Sequence, residues 1–168
     1  MERRVGEEIE AAAKRLAEAG VESPLLDAQL LMAGALGCSR LDIVAHHERE
    51  PGSEESRAFH SMLDKRAARY PLAYLLGRKE FFGIDLTVSP DVLIPRPETE
   101  ILVEQCLKRL VALDCSLYPV PCTLNVADIG VGTGAIAIAI AANSPSSRIY
   151  ATEISAEAAK VARANIEK

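Results

Sequence analysis

Apolar positions recur along this chain first with a helical period and later with a strand-like one. Val5, Ile9, Ala12, Leu16 and Ala19 fall on one stripe, with Glu7, Glu8, Lys14 and Arg15 off it. That pattern predicts an amphipathic helix over 4–19, stopped by Gly20. Ser23-Pro24 then offers an N-cap and a proline at the first helical position. The following segment, LLDAQLLMAGAL, is apolar almost all round and reads as the buried centre of a small bundle, ending at Gly37. Ser39 and Asp42 have capping-box spacing, with Asp in place of Glu, and start a short helix to about His46. After the Pro51-Gly52 turn, Ser53 is expected to cap a helix through Arg69, with Phe59, Met62, Leu63 and Ala67 inward. Tyr70-Pro71 opens one more turn, Leu72 to Leu76, closed by Gly77. Residues 1–76 thus read as an all-helical bundle with no nucleophile–base pair, phosphate loop or metal spacing.

The texture changes at Arg78. Lys79 to Phe82 and Ile84 to Val88 are strand-like around Gly83, so 77–94 is expected to be a β-hairpin or extended linker. Ser89-Pro90-Asp91 reads as a turn and Val92-Leu93-Ile94 as a short extended run. Pro97 suits the first turn of a helix, and Glu98 and Glu100 suit its positive end. That helix, to about Leu113, should present Leu102, Val103, Cys106, Leu107, Leu110 and Val111 to a core. Residues 114–122 form a proline-broken connection. Residues 123–129 read as a strand. Ala135 to Ala142 alternates Ala with Ile, which by period alone would be a strand. It is assigned as helix because a ligand loop after a strand needs a helix N-terminus behind it, and because alanine is the best helix former. A loop at 143–147, a second strand at 148–152 and a helix from Ser155 still running at Lys168 complete the pattern. Strand–helix–strand–helix at this spacing opens an α/β sheet with a right-handed crossover.

Composition narrows the function classes. The 168 residues are 49% hydrophobic and 26% charged, ordinary for a globular protein, with 4% aromatics and no tryptophan. The net charge of −5 is spread evenly: thirteen acids and ten bases in 1–76, eleven and nine in 77–168. No basic stripe exists to neutralise phosphates, which disfavours direct nucleic-acid binding. The N-terminus lacks the apolar core of a signal peptide and no run approaches membrane-spanning length, so a cytoplasmic protein with no membrane partner is expected. Cys38, Cys106, Cys115 and Cys122 form no C-x-x-C pair, so no metal site is expected; free thiols are expected, although Cys115 and Cys122 lie close enough in sequence to meet. His46, His47 and His60 read as solvated or helix-face residues.

The chemistry concentrates in Val126-Ala127-Asp128-Ile129-Gly130-Val131-Gly132-Thr133-Gly134-Ala135. Glycines at alternate positions leave no Cβ between backbone and ligand. Gly130 to Ala135 satisfies the dinucleotide pattern G-x-G-x-x-A, and Glu153 lies about where its ribose-binding acid belongs. Two details favour S-adenosylmethionine. Gly134 completes D-x-G-x-G-x-G, and Asp128 sits near where a sulfonium cofactor's aminoacyl end would lie. A pyrophosphate gains nothing from a carboxylate there. The bland alternative is a turn that only packs a helix on a strand; strand, loop, helix and downstream acid falling in place together count against it.

Ile94-Pro95-Arg96-Pro97-Glu98-Thr99-Glu100, Asp128 to Gly134 and Ala151-Thr152-Glu153 together resemble the HemK/PrmC protein-glutamine N5-methyltransferases, which modify the Gly-Gly-Gln loop of peptide chain release factors. Tyr70 to Gly77 and Glu80-Phe81-Phe82-Gly83 match that family in order. The resemblance implies an all-α N-terminal bundle (1–76) engaging a release factor, a β-ribbon linker (77–94) and a Rossmann-like class I S-adenosylmethionine methyltransferase domain (95–168). It implies cofactor binding by Asp128, Gly130, Val131, Gly132, Thr133, Gly134 and Glu153, with Glu153 on the ribose hydroxyls. It also implies that Pro95, Arg96, Pro97 and Glu98 line the active site. The family's Asn-Pro-Pro-Tyr motif, whose acceptors hold the substrate amide, is absent. The domain is therefore expected to be truncated, with a strand edge and apolar faces exposed, and the chain inactive as written, with its catalytic residues unassigned. A nicotinamide-dependent oxidoreductase, a non-catalytic binding module and a nucleic-acid base methyltransferase remain alternatives.

Overall fold

The computed structural model describes residues 4–113 and 123–168. The proline-broken connection read at 114–122, with Cys115 and Cys122, lies outside the described residues. Two compact units emerge, Met1–Leu76 and Gly77–Lys168.

The first unit is helical: α1 (Val5–Glu18), α2 (Pro24–Leu36), α3 (Arg40–Ala45), α4 (Ser53–Ala67) and α5 (Leu72–Leu76). Val5, Ile9, Ala12 and Leu16 of α1 meet Ala28, Leu31, Met32 and Ala33 of α2 and Phe59 and Leu63 of α4 in one core. The central helix α2 packs against each of the other four. The free N–H groups at the start of α1 are satisfied from outside the helix: Val5 N–H donates to the Arg49 carbonyl (2.8 Å) and Gly6 N–H to that of His47 (2.9 Å). Ser39 and Asp42 form the expected reciprocal cap of α3.

Three local expectations shift. Ser23 makes no side-chain cap bond. At α4 the N-cap is Gly52, not Ser53, because Glu55 reaches back to the Gly52 N–H (2.7 Å) while Arg49 holds that carboxylate at 2.7 Å and 3.0 Å. Glu8, expected on the solvated side of α1, is only 9% exposed and faces His60 Nε2 at 3.5 Å. The buried polar residue of α2 also has a reason: Asp27 accepts from Arg66 Nε at 2.7 Å, and Arg66 donates onward to the Tyr70 carbonyl (3.1 Å). A buried carboxylate in the bundle centre needs such a partner.

The second unit contains β1 (Arg78–Phe81), β2 (Ile84–Thr87), α6 (Glu98–Ala112), β3 (Asn125–Ile129), α7 (Ala135–Asn143), β4 (Arg148–Thr152) and α8 (Ala156–Ile166). Strands β1 and β2 form an antiparallel hairpin in the register Arg78↔Thr87 to Phe81↔Ile84. Its turn residues Phe82 (φ 53°) and Gly83 (φ 76°) both have positive φ, as a tight primed turn requires. A phenylalanine pays about 1–2 kcal/mol for that conformation. It is held there by Glu100, which accepts the Phe82 N–H at 2.9 Å. The hairpin is part of the packed unit: Phe81 and Leu86 share a core with Val103 of α6 and with Ala135, Ala139 and Ile140 of α7. On α6, Val103, Cys106, Leu107 and Leu110 face that core, but Leu102 (51%) and Val111 (77%) are exposed.

Strands β3 and β4 pair in parallel, from Asn125↔Arg148 to Ile129↔Thr152, with α7 as the connection. The Ala/Ile alternation of residues 135–142 is therefore helix; the helix requirement behind the glycine loop overrides the period. Helix α8 ends at Ile166, short of the expected Lys168. Burial alternates along β3, with Val126 and Asp128 on the covered face and Ile129 on the open one. Ile129 and Tyr150 are thus exposed on a parallel sheet, a type usually covered on both faces.

Candidate cofactor site

The carboxyl ends of β3 and β4 meet at a crevice of about 400 Å³ lined by Ile129, Gly130, Thr152, Glu153 and Ile154. Ligands of open α/β sheets bind at such strand ends. The loop Gly130–Gly134 folds over the N-terminus of α7, and the strand pairing sets its position.

The loop spends most of its own donors. Gly130 N–H and Val131 N–H both donate to the Thr152 carbonyl, at 2.8 Å and 3.0 Å. Gly132 N–H donates to Glu153 Oε2 (2.9 Å), and Gly134 N–H to the Val131 carbonyl (2.8 Å). These paths demand left-handed backbone at Gly132 (φ 54°) and Gly134 (φ 86°). A Cβ on Gly134 would also lie 3.0 Å from Ile138 Cδ1. A loop with these N–H groups committed internally is a poor cradle for a pyrophosphate, which needs free donors.

What the site offers instead is acceptors. Glu153 links the two strand ends: Oε2 takes the Gly132 N–H, and Oε1 takes those of Ile154 (2.8 Å) and Ser155 (3.1 Å). Those bonds, first that from Gly132 and then that from Ser155, hold its carboxyl below the ordinary carboxylate range. A carboxylate has about four lone-pair sites; three are used, and the remaining one on Oε2 can accept a ligand hydroxyl directly. A second hydroxyl would have to take the place of the Gly132 N–H.

Asp128 precedes Ile129 on β3, on the covered face of the strand and beside the first turn of α7. Burial pushes its carboxyl above the ordinary value of 3.8, and the Ala137 N–H, from the first turn of α7, pulls it partly back. Its Oδ2 is buried and has no hydrogen-bond partner among the described residues. A buried, unpartnered carboxylate oxygen favours a cation or a strong donor in the ligand.

The remaining predicted residues take other places. Thr133 is buried, and its hydroxyl accepts from the Ala135 N–H at 3.3 Å. Val131, within the loop, is half-buried. Pro95 is buried, whereas Arg96, Pro97 and Glu98 are exposed at the start of α6. The polar tie of that segment runs from Glu100 to the hairpin turn, not to the glycine loop. Sequence reading missed Asn165, whose amide bonds both Thr87 and Thr133. Its signal was an asparagine on the stripe that Ala158 and Ala162 bury on α8. Among the described residues, no group of His, Cys, Asp and Glu could hold a metal ion, and no helix is long and apolar enough to cross a membrane.

Comparison with known proteins gives a consistent picture. Residues 7–77 match the family described as PrmC N-terminal domain, and residues 111–168 the family described as methyltransferase small domain. The chain is 43% identical over 157 residues to the release factor glutamine methyltransferase of Moorella thermoacetica, covering 94% of this chain and 53% of that protein. The proteins of the same name from Coxiella burnetii and Burkholderia pseudomallei are 42% and 45% identical. They align with 88% and 87% of this chain and 50% and 49% of their own lengths. The chain spans about half the length of the curated relatives it matches.

Proposed function

We infer, from a chain that belongs by sequence to the release factor glutamine methyltransferase family, that its second unit holds S-adenosylmethionine and that the whole protein methylates a glutamine side-chain amide of peptide chain release factors. The target is the glutamine of the Gly-Gly-Gln loop, and the helical first unit (1–76) engages the release factor. The observation that carries the cofactor assignment is the donor–acceptor balance of the glycine loop and the acid before it. Four loop N–H groups are committed internally, while Asp128 Oδ2 is buried without a partner. S-adenosylmethionine fits that balance better, because it brings an ammonium and a sulfonium toward an unpartnered carboxylate and only one carboxylate of its own, whereas a dinucleotide brings a doubly charged pyrophosphate.

Bound there, the cofactor supplies an activated methyl group. The residues of this chain then bind and orient. Asp128 takes the ammonium of the aminoacyl end and, once paired, stays ionised. Glu153 accepts from the ribose, and its fixed bonds to Ile154 and Ser155 pre-set its direction. The glycines keep the backbone thin enough for close approach. Pro95, Arg96, Pro97 and Glu98 line the substrate side of the site. Without an Asn-Pro-Pro-Tyr segment, no residue of these 168 is assigned to hold the substrate amide. The chain alone is therefore expected to bind cofactor without transferring a methyl group.

The test is mass spectrometry of the release-factor peptide carrying Gly-Gly-Gln after incubation with S-adenosylmethionine. The whole protein should add one methyl to the glutamine and the 168-residue chain none. Modification by the chain alone, or a whole protein that leaves the glutamine unmodified, would overturn the reading.

A further inference from the structure

Asn165 is a polar residue on the buried stripe of α8 and is 5% exposed. An asparagine amide has one acceptor oxygen and two N–H donors to satisfy, and all of them are used in bonds to backbone. Thr87 N–H donates to Oδ1 at 2.7 Å, while Nδ2 donates to the Thr87 carbonyl and to the Thr133 carbonyl, both at 2.9 Å. The paired bonds to Thr87 seat the amide on the end of β2 like one more strand residue, which fixes its plane. The third bond therefore reaches the glycine loop from a rigid anchor.

The Thr133 carbonyl belongs to the peptide that joins Thr133 to Gly134. Holding that oxygen sets the plane of the Gly134 N–H, which closes the loop on the Val131 carbonyl at 2.8 Å. Helix α8 is close enough to do this: the Ala162 carbonyl lies 3.6 Å from where a Gly134 Cβ would stand. An apolar residue at 165 could fill the space, but it would leave the N–H of Thr87 and the carbonyls of Thr87 and Thr133 without this partner.

We propose that Asn165 is a positioning residue for the cofactor loop, locking the Thr133–Gly134 peptide to the β2 strand so that Gly130–Gly134 is pre-formed before ligand binds. The proposal deepens the cofactor reading above and rests on it for the identity of the ligand. The lock itself is a property of this chain's backbone and can be read without any ligand.

The experiment compares Asn165→Asp with Arg163→Ala, an exposed residue on the same helix. Aspartate keeps the size and the acceptor for Thr87 N–H but turns an oxygen toward two carbonyls. Amide hydrogen exchange and S-adenosylhomocysteine affinity are measured on the full chain. With Asn165→Asp, the Gly132 and Gly134 amides should exchange about tenfold faster or more, while α7 and β3 amides stay within about twofold. Affinity should fall about tenfold, and Arg163→Ala should change neither. Asn165→Ala, which removes the bonds without adding charge, should give the same pattern and is read if the aspartate variant unfolds. Unchanged loop exchange overturns the proposal, as does a loss of protection spread evenly over the unit, which would mark Asn165 as merely structural. Wild-type chain with no affinity for S-adenosylhomocysteine would count against the cofactor reading alone, since the exchange pattern still decides the lock.

Discussion

Replacing Asp128 by asparagine separates what this residue costs the fold from what it gives the ligand. In the free chain its carboxylate is partly desolvated, one oxygen is unpartnered, and the Ala137 N–H supplies limited compensation. Asparagine keeps an acceptor for that N–H and removes the charge. The free chain should be unchanged or more stable by up to about 1 kcal/mol, the low end of the cost of an unsatisfied buried group, because the Ala137 N–H already offsets part of that cost. Ligand binding should move the other way. A charge-assisted hydrogen bond contributes about 1.5–3 kcal/mol, so affinity for S-adenosylhomocysteine should fall between about tenfold and a hundredfold. The pH dependence has a defined sign. Folding raises the pKa of this group, so its favourable share of stability is complete below the unfolded value near 3.8 and is lost as pH rises through the folded pKa. The ligand's ammonium prefers the ionised form, so wild-type affinity should rise with pH over the window just above 3.8, and Asp128→Asn should abolish that rise. Thermal unfolding without ligand and calorimetric titration with it read the two halves. Asparagine that destabilises the free chain and leaves affinity intact would refute the reasoning and make Asp128 a cap on α7.

Other substitutions probe the loop and the bundle. Glu153→Gln should weaken ligand binding and speed exchange of the Gly132 amide. Because folding lowers the Glu153 pKa, the wild-type tie should hold above the ordinary value of 4.5 and fade as pH falls through the lowered one, which exchange measured against pH would follow. Gly134→Ala should cost about 1–2 kcal/mol from its left-handed backbone alone, read by denaturant unfolding, with the contact to Ile138 adding to it. In the first unit, Asp27→Ala should destabilise by about 3 kcal/mol, since it leaves the Arg66 guanidinium unpaired in a mostly buried place. A loss well under 1 kcal/mol there would mean that water reaches Arg66 freely.

The helices of the first unit were legible because their stripes and stops are local: Val5 to Leu16, the Ser39–Asp42 cap and the Gly37 terminus depend on nearby residues. The primed turn at Phe82-Gly83 was legible as a hairpin, but nothing local says that Phe82 should adopt positive φ. That depends on Glu100, eighteen positions away, accepting its N–H. The exposed Leu102 and Val111 mark a similar limit, since a helical period finds an apolar face without saying how wide the covered part is. The glycine loop and its flanking acids were placed by spacing, yet their roles needed the geometry. Loop glycines suggest free N–H groups, and the structure commits four of them to Thr152, Glu153 and Val131. Asn165 is the clearest case of a residue invisible to spacing, because its partners are 78 and 32 positions away.

The most direct test of the central claim is an amide chemical-shift titration of this chain with S-adenosylhomocysteine and, separately, with NAD. The account predicts that S-adenosylhomocysteine shifts the amides of residues 128–134 and 152–155 and leaves the first unit unchanged, while NAD shifts neither. A response of those amides to NAD and none to S-adenosylhomocysteine would contradict it.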